Sequence, residues 1–349
     1  MQSIRISNHL IGQQHPPFVI AELSGNHQQS LEKALSMVEA AAKAGAHAVK
    51  LQTYTADTMT LDLHSGEFFI DDETSLWHDT SLHRLYQQAM TPWEWHRAIF
   101  DHAAKLGLVA FSTPFDSSAV DFLETLHAPC YKIASFENID HALLRKVAAT
   151  GKPVIMSTGI ASLAELAESV DVLREAGCNQ LILLKCTSAY PAPADEANIR
   201  TLPHLATLFQ CQTGLSDHTL GIGVAVASVA LGATVIEKHF VLDRSENGVD
   251  AAFSLEPAEL AQLVTETERA WLSLGQVNYG ATEKELASRR HRRSLYICQD
   301  LTAGEILTPD NLRSIRPGLG LPPKYLNQAL GKPVGKNVKK GTPLSWDLL

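Results

Sequence analysis

Three lysines stand inside otherwise apolar runs of this 349-residue chain: Lys50 in AVKLQT, Lys132 in CYKIAS and Lys185 in LILLKC. A buried ammonium is costly unless an anion meets it. Three of them on predicted strands therefore point to a pocket for a small, highly charged anion such as a phosphorylated carboxylate. Hydroxyls at Thr113, Ser135 and Ser157, at the ends of neighbouring runs, would complete the anion's hydrogen bonds. A second constellation is formed by His218 and His239, which end the runs CQTGLSDH and VIEKHF. Two imidazoles from adjacent strand ends make a divalent-metal site with positions left open for water or substrate. Glu237 shares a strand face with His239, as a further ligand or an acceptor that orients one, whereas Lys238 must face the other way.

These residues need a scaffold that gathers many strand ends. From Phe18 to Leu274 short apolar runs alternate with amphipathic, alanine-rich stretches. The runs are FVIAEL from Phe18, AVKLQT from Ala48, VAFSTP from Val109, CYKIAS from Cys130, PVIMST from Pro153, LILLKC from Leu181, CQTGLSDH from Cys211 and VIEKHF from Val235. Between them Leu31, Ala34, Leu35, Val38 and Ala42 recur at helical spacing, as do Leu163, Leu166, Val170 and Leu173. Thr91-Pro92-Trp93-Glu94 and Ser162-Leu163-Ala164-Glu165 read as helix starts with a capping-box glutamate, and Pro92 suits the first turn. Eight such units predict a (β/α)8 TIM barrel, whose strands are covered on both faces and so are almost continuously apolar. An open flavodoxin-like sheet is the alternative, but no G-x-G-x-x-G follows the first strand. In a barrel the polar residues fall on one rim, where active sites sit. They are Glu22, Asn26 and His27; Lys50 and Gln52; Thr113; Lys132 and Ser135; Ser157 and Thr158; Lys185, Ser188 and Tyr190; Ser216 and His218; and Glu237 and His239.

The periodicity changes after Leu274. Residues 276–293 are polar, end in RRHRR and read as a linker between a domain over 1–275 and a compact, turn-rich module over 294–349. The net charge of −9 argues against nucleic-acid or anionic-membrane partners, which require a positive field. There is neither a signal-peptide pattern nor a membrane-length apolar run. The five cysteines (Cys130, Cys178, Cys186, Cys211 and Cys298) form no C-x-x-C pair, a usage expected of a reduced, cytoplasmic protein.

Taken in order, AELSGNH, KLQTYTADTMT, FSTPFD, YKIASFE, STG, CTSAYPAP, GLSDHTLG and EKHFVLDRS resemble the sialic acid synthase family. RRSLY, AGEILTPDNL and RPGLGL resemble its β-rich antifreeze-like (SAF) domain, so the likeness covers essentially the whole chain. It implies condensation of phosphoenolpyruvate with an open-chain 2-acetamido sugar to give phosphate and a nine-carbon 2-keto acid. The stretches LQTYTADTMT, TPWEWH, AVDFLE, KIASFENID and GVDAAFSLEP look most like the pseudaminic branch, whose sugar is 2,4-diacetamido-2,4,6-trideoxy-L-altrose. N-acetylneuraminate and legionaminic acid synthesis are the alternatives. Gly25 departs from that branch, where alanine is frequent and glycine would loosen the loop, and Ser188 stands where some sialic acid synthases carry asparagine.

The resemblance further implies a divalent cation, Mn2+ first with Mg2+ or Co2+ as alternatives, acting as Lewis acid for the sugar aldehyde. Glu22 would stabilise positive character at carbon 2 of phosphoenolpyruvate. Asn26, Gln52, Ser188, Tyr190 and Ser216 would complete the substrate contacts. A domain-swapped homodimer is also implied, with Arg316 reaching the partner's sugar. Two rival readings differ in kind. One is a Schiff-base aldolase using Lys185, which needs a desolvated lysine and no metal. The other is a saccharide- or ice-binding protein built on the C-terminal module, which leaves the polar rim without a purpose.

Overall fold

All eight runs become staves of one closed parallel barrel in the computed structural model of the protein, which describes residues 2–73, 75–246 and 248–349. An antiparallel hairpin, β1 (Ile4–Ile6) and β2 (His9–Ile11), precedes the barrel, and a small one, β5 (Phe69–Ile70) and β6 (Thr80–Ser81), interrupts it. The staves are β3 (Phe18–Glu22), β4 (Ala48–Thr53), β7 (Val109–Pro114), β8 (Tyr131–Ile133), β9 (Val154–Ser157), β10 (Leu181–Cys186), β11 (Gln212–Ser216) and β12 (Val235–His239). They follow one another in chain order around the barrel, and β12 closes on β3 with His239 opposite Glu22.

The two-residue period of a strand sorts their side chains. Phe18, Ile20, Ala48, Val109, Phe111, Cys130, Ile155, Ile182, Leu184 and Val235 fill the lower interior. The hairpin's Ile4, Ile6 and Ile11 join that cluster and close the floor. The intervening residues, among them Val19, Val49, Leu51, Tyr131, Ile133, Leu183, Leu215 and Ile236, pack outward in the core shared with the helices. Continuing each interior row toward the strand's C-terminal end gives Glu22, Lys50, Thr113, Lys132, Ser157, Cys186, Ser216 and Glu237. The barrel is therefore apolar below and polar above.

Helix Leu163–Glu175 begins as expected, Ser162 and Glu165 each capping the other's backbone. Helix Trp93–Lys105 does not: Pro92 is its N-cap and no side chain caps it, because Thr91 is turned away to meet His27 Nε2 at 3.1 Å. Gly25 does not loosen its loop either. A Cβ there would lie 2.9 Å from Ala89 Cα, so the glycine admits a close approach.

The chain divides into two compact units, Met1–Gly275 and Gln276–Leu349. The second pairs β13 (Ser294–Ile297) with β14 (Leu312–Ile315) over a core that includes Leu295, Ile297, Leu307, Val334 and Leu344. Its arginine run begins on an exposed 3-10 turn, Ala287–His291, and continues to Arg293. Among the described residues no helix is long and apolar enough to cross a membrane.

Candidate active site

Inside the barrel mouth two lysines and two glutamates share a buried cluster. Lys50 Nζ donates to Thr113 Oγ1 at 3.1 Å and Lys132 Nζ to Ser157 Oγ at 2.7 Å, and each ammonium lies 3.7 Å from Glu237 Oε1. Ser216 Oγ also donates to Glu237 Oε1, at 3.2 Å, while Glu237 Oε2 has no hydrogen-bond partner. Glu22 is ion-paired to Lys50 and accepts from Gln52 Nε2 at 3.0 Å. Burial raises the Glu22 carboxyl to about 7, with Lys50 pulling it down and Glu237 pushing it up. Burial works against the Glu237 charge too, but Lys132 and Lys50 outweigh it and hold that group below the ordinary range. One carboxylate thus stays ionised while its neighbour can carry a proton near neutrality, a division suited to acid–base work.

The third lysine is not part of this pocket. Lys185 falls between the inward residues Leu184 and Cys186, so it points out of the barrel and turns onto its own strand end. There its Nζ donates to Cys186 O at 2.9 Å and Thr187 Oγ1 at 3.0 Å. The expected trio is therefore a pair, and a Schiff base formed on Lys185 would form outside the barrel.

Ser135 and Ser188 converge on Gly159. Ser135 Oγ accepts from Gly159 N at 3.1 Å, and a Cβ on Gly159 would overlap both hydroxyls. Asn26 is placed differently from expectation. Its Nδ2 donates to Phe240 O and Ser254 Oγ, both at 2.9 Å, and its Oδ1 accepts from Asp250 N at 3.1 Å. With its amide committed at both ends, Asn26 braces the loop after β12 and has no free group for substrate. His27 is buried, held neutral by burial with a pKa lowered to about 4.

His218 and His239 face each other with ring centroids 5.3 Å apart. His218 Nδ1 is bonded to Thr187 O at 2.9 Å, and His239 Nδ1 lies 3.3 Å from Ser24 Oγ and 3.6 Å from Asp250 Oδ2. Backbone and carboxylate partners at Nδ1 are what orient metal-binding imidazoles, and they leave Nε2 of each ring as the ligating nitrogen. Burial holds His239 well below its ordinary pKa, hence neutral and able to ligate, whereas at His218 contact with Cys186 and Thr187 O outweighs burial and raises it. The residues therefore fit a divalent ion. Among the described residues no three His, Cys, Asp or Glu side chains form a metal cage, and water or substrate oxygens would complete the sphere around the two imidazoles.

The segment carrying His218 is fixed from outside the barrel. Lys238 Nζ donates to Asp217 Oδ2 at 2.8 Å and to Thr219 O at 2.6 Å, and Asp217 Oδ1 accepts from Thr219 N at 2.9 Å. The residues on both sides of His218 are thereby clamped. Sequence reading missed Asp250 and Phe253, which lie in a loop with no strand-end signal. Phe253 packs against His239 (4.9 Å between centroids) and Tyr190 (5.2 Å), and Tyr190 lies 4.4 Å from His218. Arg316 is exposed in the second unit, directly after β14.

The site thus sets a buried lysine pair and two facing imidazoles at the mouth of a (β/α)8 barrel, the rim on which enzymes of this fold do their chemistry. Comparison with known proteins narrows the class. Residues 37–279 match the NeuB family and residues 292–349 the SAF domain. Over 333 residues the chain is 42% identical to the pseudaminic acid synthase of Helicobacter pylori, spanning 95% of this chain and 97% of that one. It is 43% identical over 327 residues to the pseudaminic acid synthase of Campylobacter jejuni, spanning 94% and 95%. Among solved structures, N-acetylneuraminic acid synthetase from Leptospira borgpetersenii superposes with a TM-score of 0.74 at 32% identity, covering 82% of this chain and 95% of that one. The chain belongs to the NeuB family of sialic acid synthases.

Proposed function

We propose that the protein condenses phosphoenolpyruvate with 2,4-diacetamido-2,4,6-trideoxy-L-altrose to give pseudaminic acid and phosphate. The observation that carries this reading is the pairing of Lys50 and Lys132 around one carboxylate oxygen in the barrel that also presents His218 and His239. Phosphate and carboxylate oxygens are the natural acceptors for two ammonium groups that both stand 3.7 Å from Glu237 Oε1, beyond hydrogen-bond distance. Thr113, Ser157 and Ser216 lie within the same cluster and hold the anion's remaining oxygens. Carbon 3 of the bound enol is thereby directed at the sugar aldehyde before any bond forms.

A divalent cation on Nε2 of His218 and His239, Mn2+ in this proposal, would supply Lewis-acid polarisation of the aldehyde oxygen. Carbon–carbon bond formation leaves positive character at carbon 2 of the former enol. Glu22, anchored by Gln52 and Lys50, stabilises that charge and takes a proton from the water that adds there. Lys50 and Lys132 then stabilise the departing phosphate. We also assign Arg316 to the sugar site of a partner chain in a homodimer, on the strength of its motif and its exposure.

The test is phosphate release from phosphoenolpyruvate with a panel of sugars, with and without chelator. Release with the trideoxy sugar, abolished by chelator and restored by Mn2+, is the expected result. A preference for N-acetylmannosamine, or for the sugar leading to legionaminic acid, would overturn the assignment within the family. With 18O in the bridging oxygen of phosphoenolpyruvate, the label should leave in phosphate.

A further inference from the structure

Beside the two imidazoles stands a group of aromatic rings that the chemistry above does not use. Trp77, in the segment between β5 and β6, lies with its ring centroid 5.9 Å from Tyr190. Tyr190 in turn contacts His218 and Phe253, and Phe253 lies over both imidazoles, at 4.9 Å from His239 and 6.0 Å from His218. The indole is not a loose surface ring: its Nε1 donates to Val249 O at 3.0 Å, one residue before Asp250. Asn26 fixes the other side of that loop through Asp250 N and Ser254 Oγ. Trp77 and Phe253 are therefore held on one braced frame at the side of the mouth.

Two of these rings have no hydrogen bond left to offer a sugar. An indole has a single donor, which here goes to Val249. Phe253 has no polar atom to offer. A sugar hydroxyl pressed against the Trp77 and Phe253 rings loses water and gains no partner, whereas a methyl group loses nothing. We propose that Trp77, with Tyr190 and Phe253, forms the apolar wall that receives the deoxygenated end of the open-chain sugar and selects against a hydroxyl at carbon 6. The inference rests on the functional reading above, which places the aldehyde at His218 and His239, the imidazoles that these rings adjoin.

The experiment compares kcat/KM, by phosphate release with Mn2+ present, for 2,4-diacetamido-2,4,6-trideoxy-L-altrose and its 6-hydroxy counterpart. It uses the full-length wild type, Trp77→Phe and Trp77→Gln. An apolar surface rejects an added hydroxyl by about a hundredfold at most, so the wild type should favour the 6-deoxy sugar by about ten- to a hundredfold. Trp77→Phe, which keeps an apolar ring, should retain most of that ratio. Trp77→Gln, which offers an amide to the hydroxyl, should bring the two sugars to within a few-fold of each other by raising KM for the deoxy sugar more than lowering kcat. An unchanged ratio in Trp77→Gln, or an equal loss in Trp77→Phe, would overturn the wall; so would a wild type that turns over both diacetamido sugars equally, while leaving the overall reaction intact. Turnover of N-acetylmannosamine and of neither diacetamido sugar would instead remove the functional reading, and the wall with it.

Discussion

Consecutive residues of β12 build two buried lysine–carboxylate groups on opposite faces of the same strand, and the two are finished to different degrees. On the outer face Lys238 meets Asp217 Oδ2 and Thr219 O at hydrogen-bond distance, and both Asp217 oxygens are used. On the inner face Lys50 and Lys132 share Glu237 Oε1 at 3.7 Å, and Glu237 Oε2 has no hydrogen-bond partner. The outer group is a closed structural clamp. In the inner group Lys50 is also paired with Glu22, yet Glu237 Oε2 stays unsatisfied, an arrangement suited to a site where something else binds. A buried ion pair therefore signals function by its incompleteness and not by its burial.

The largest expected effect falls on the inner group. Glu22→Gln should lower kcat/KM by about 10²–10⁴-fold, the usual reach of a positioned acid–base group. In the wild type kcat/KM should rise with pH through about 7, as the raised Glu22 carboxyl loses its proton, and the variant should lack that limb. The linkage has the opposite sign for stability. Because the folded-state value lies above the ordinary 4.5, the native state holds the extra proton, and stability falls as pH rises between 4.5 and about 7. Melting temperatures across that window should decline more steeply for the wild type than for Glu22→Gln.

Lys132→Met should cost about 10²–10³-fold in kcat/KM, comparable to losing one transition-state donor, with a small change in melting temperature. A variant with a lowered melting temperature whose folded form keeps full kcat/KM would show that the inner lysines are structural after all. Lys238→Met should do the reverse. Leaving Asp217 buried and unpaired costs about 3–5 kcal/mol, and slackening the His218 segment should weaken Mn2+ binding by about 10–100-fold. Calorimetric titration of the metal-free protein would read the second effect separately from activity. Adding Asp217→Leu to Lys238→Met should recover much of the stability and none of the Mn2+ affinity. The smallest effect belongs to Ser216→Ala, which removes one hydrogen bond to a charged partner, worth about 1.5 kcal/mol. The KM for phosphoenolpyruvate should rise about tenfold.

Much of this molecule was legible before its structure was known. All eight staves begin within about two residues of the apolar runs that predicted them, because a parallel strand covered on both faces must be continuously apolar. The terminal polar residues of those runs do gather on one rim. The hairpin under the floor was missed, although IRI alternates, because two three-residue strands are too short to outweigh the longer signals nearby. Thr91 reads as a helix cap from its spacing to Glu94, but the tertiary partner His27 takes its hydroxyl instead.

The sequence by itself determined the barrel, the division near Gly275, and the residue types available for chemistry, because hydrophobic periodicity and turn composition are local properties of the chain. The tertiary structure alone decided which of those residues work together. Closure of β12 on β3 sets His239 beside Glu22, strand parity turns Lys185 away from Lys50 and Lys132, and the loop braced by Asn26 brings Asp250 and Phe253 to the imidazoles. Such juxtapositions depend on register and on contacts between residues more than a hundred positions apart, and no local pattern in the sequence encodes them.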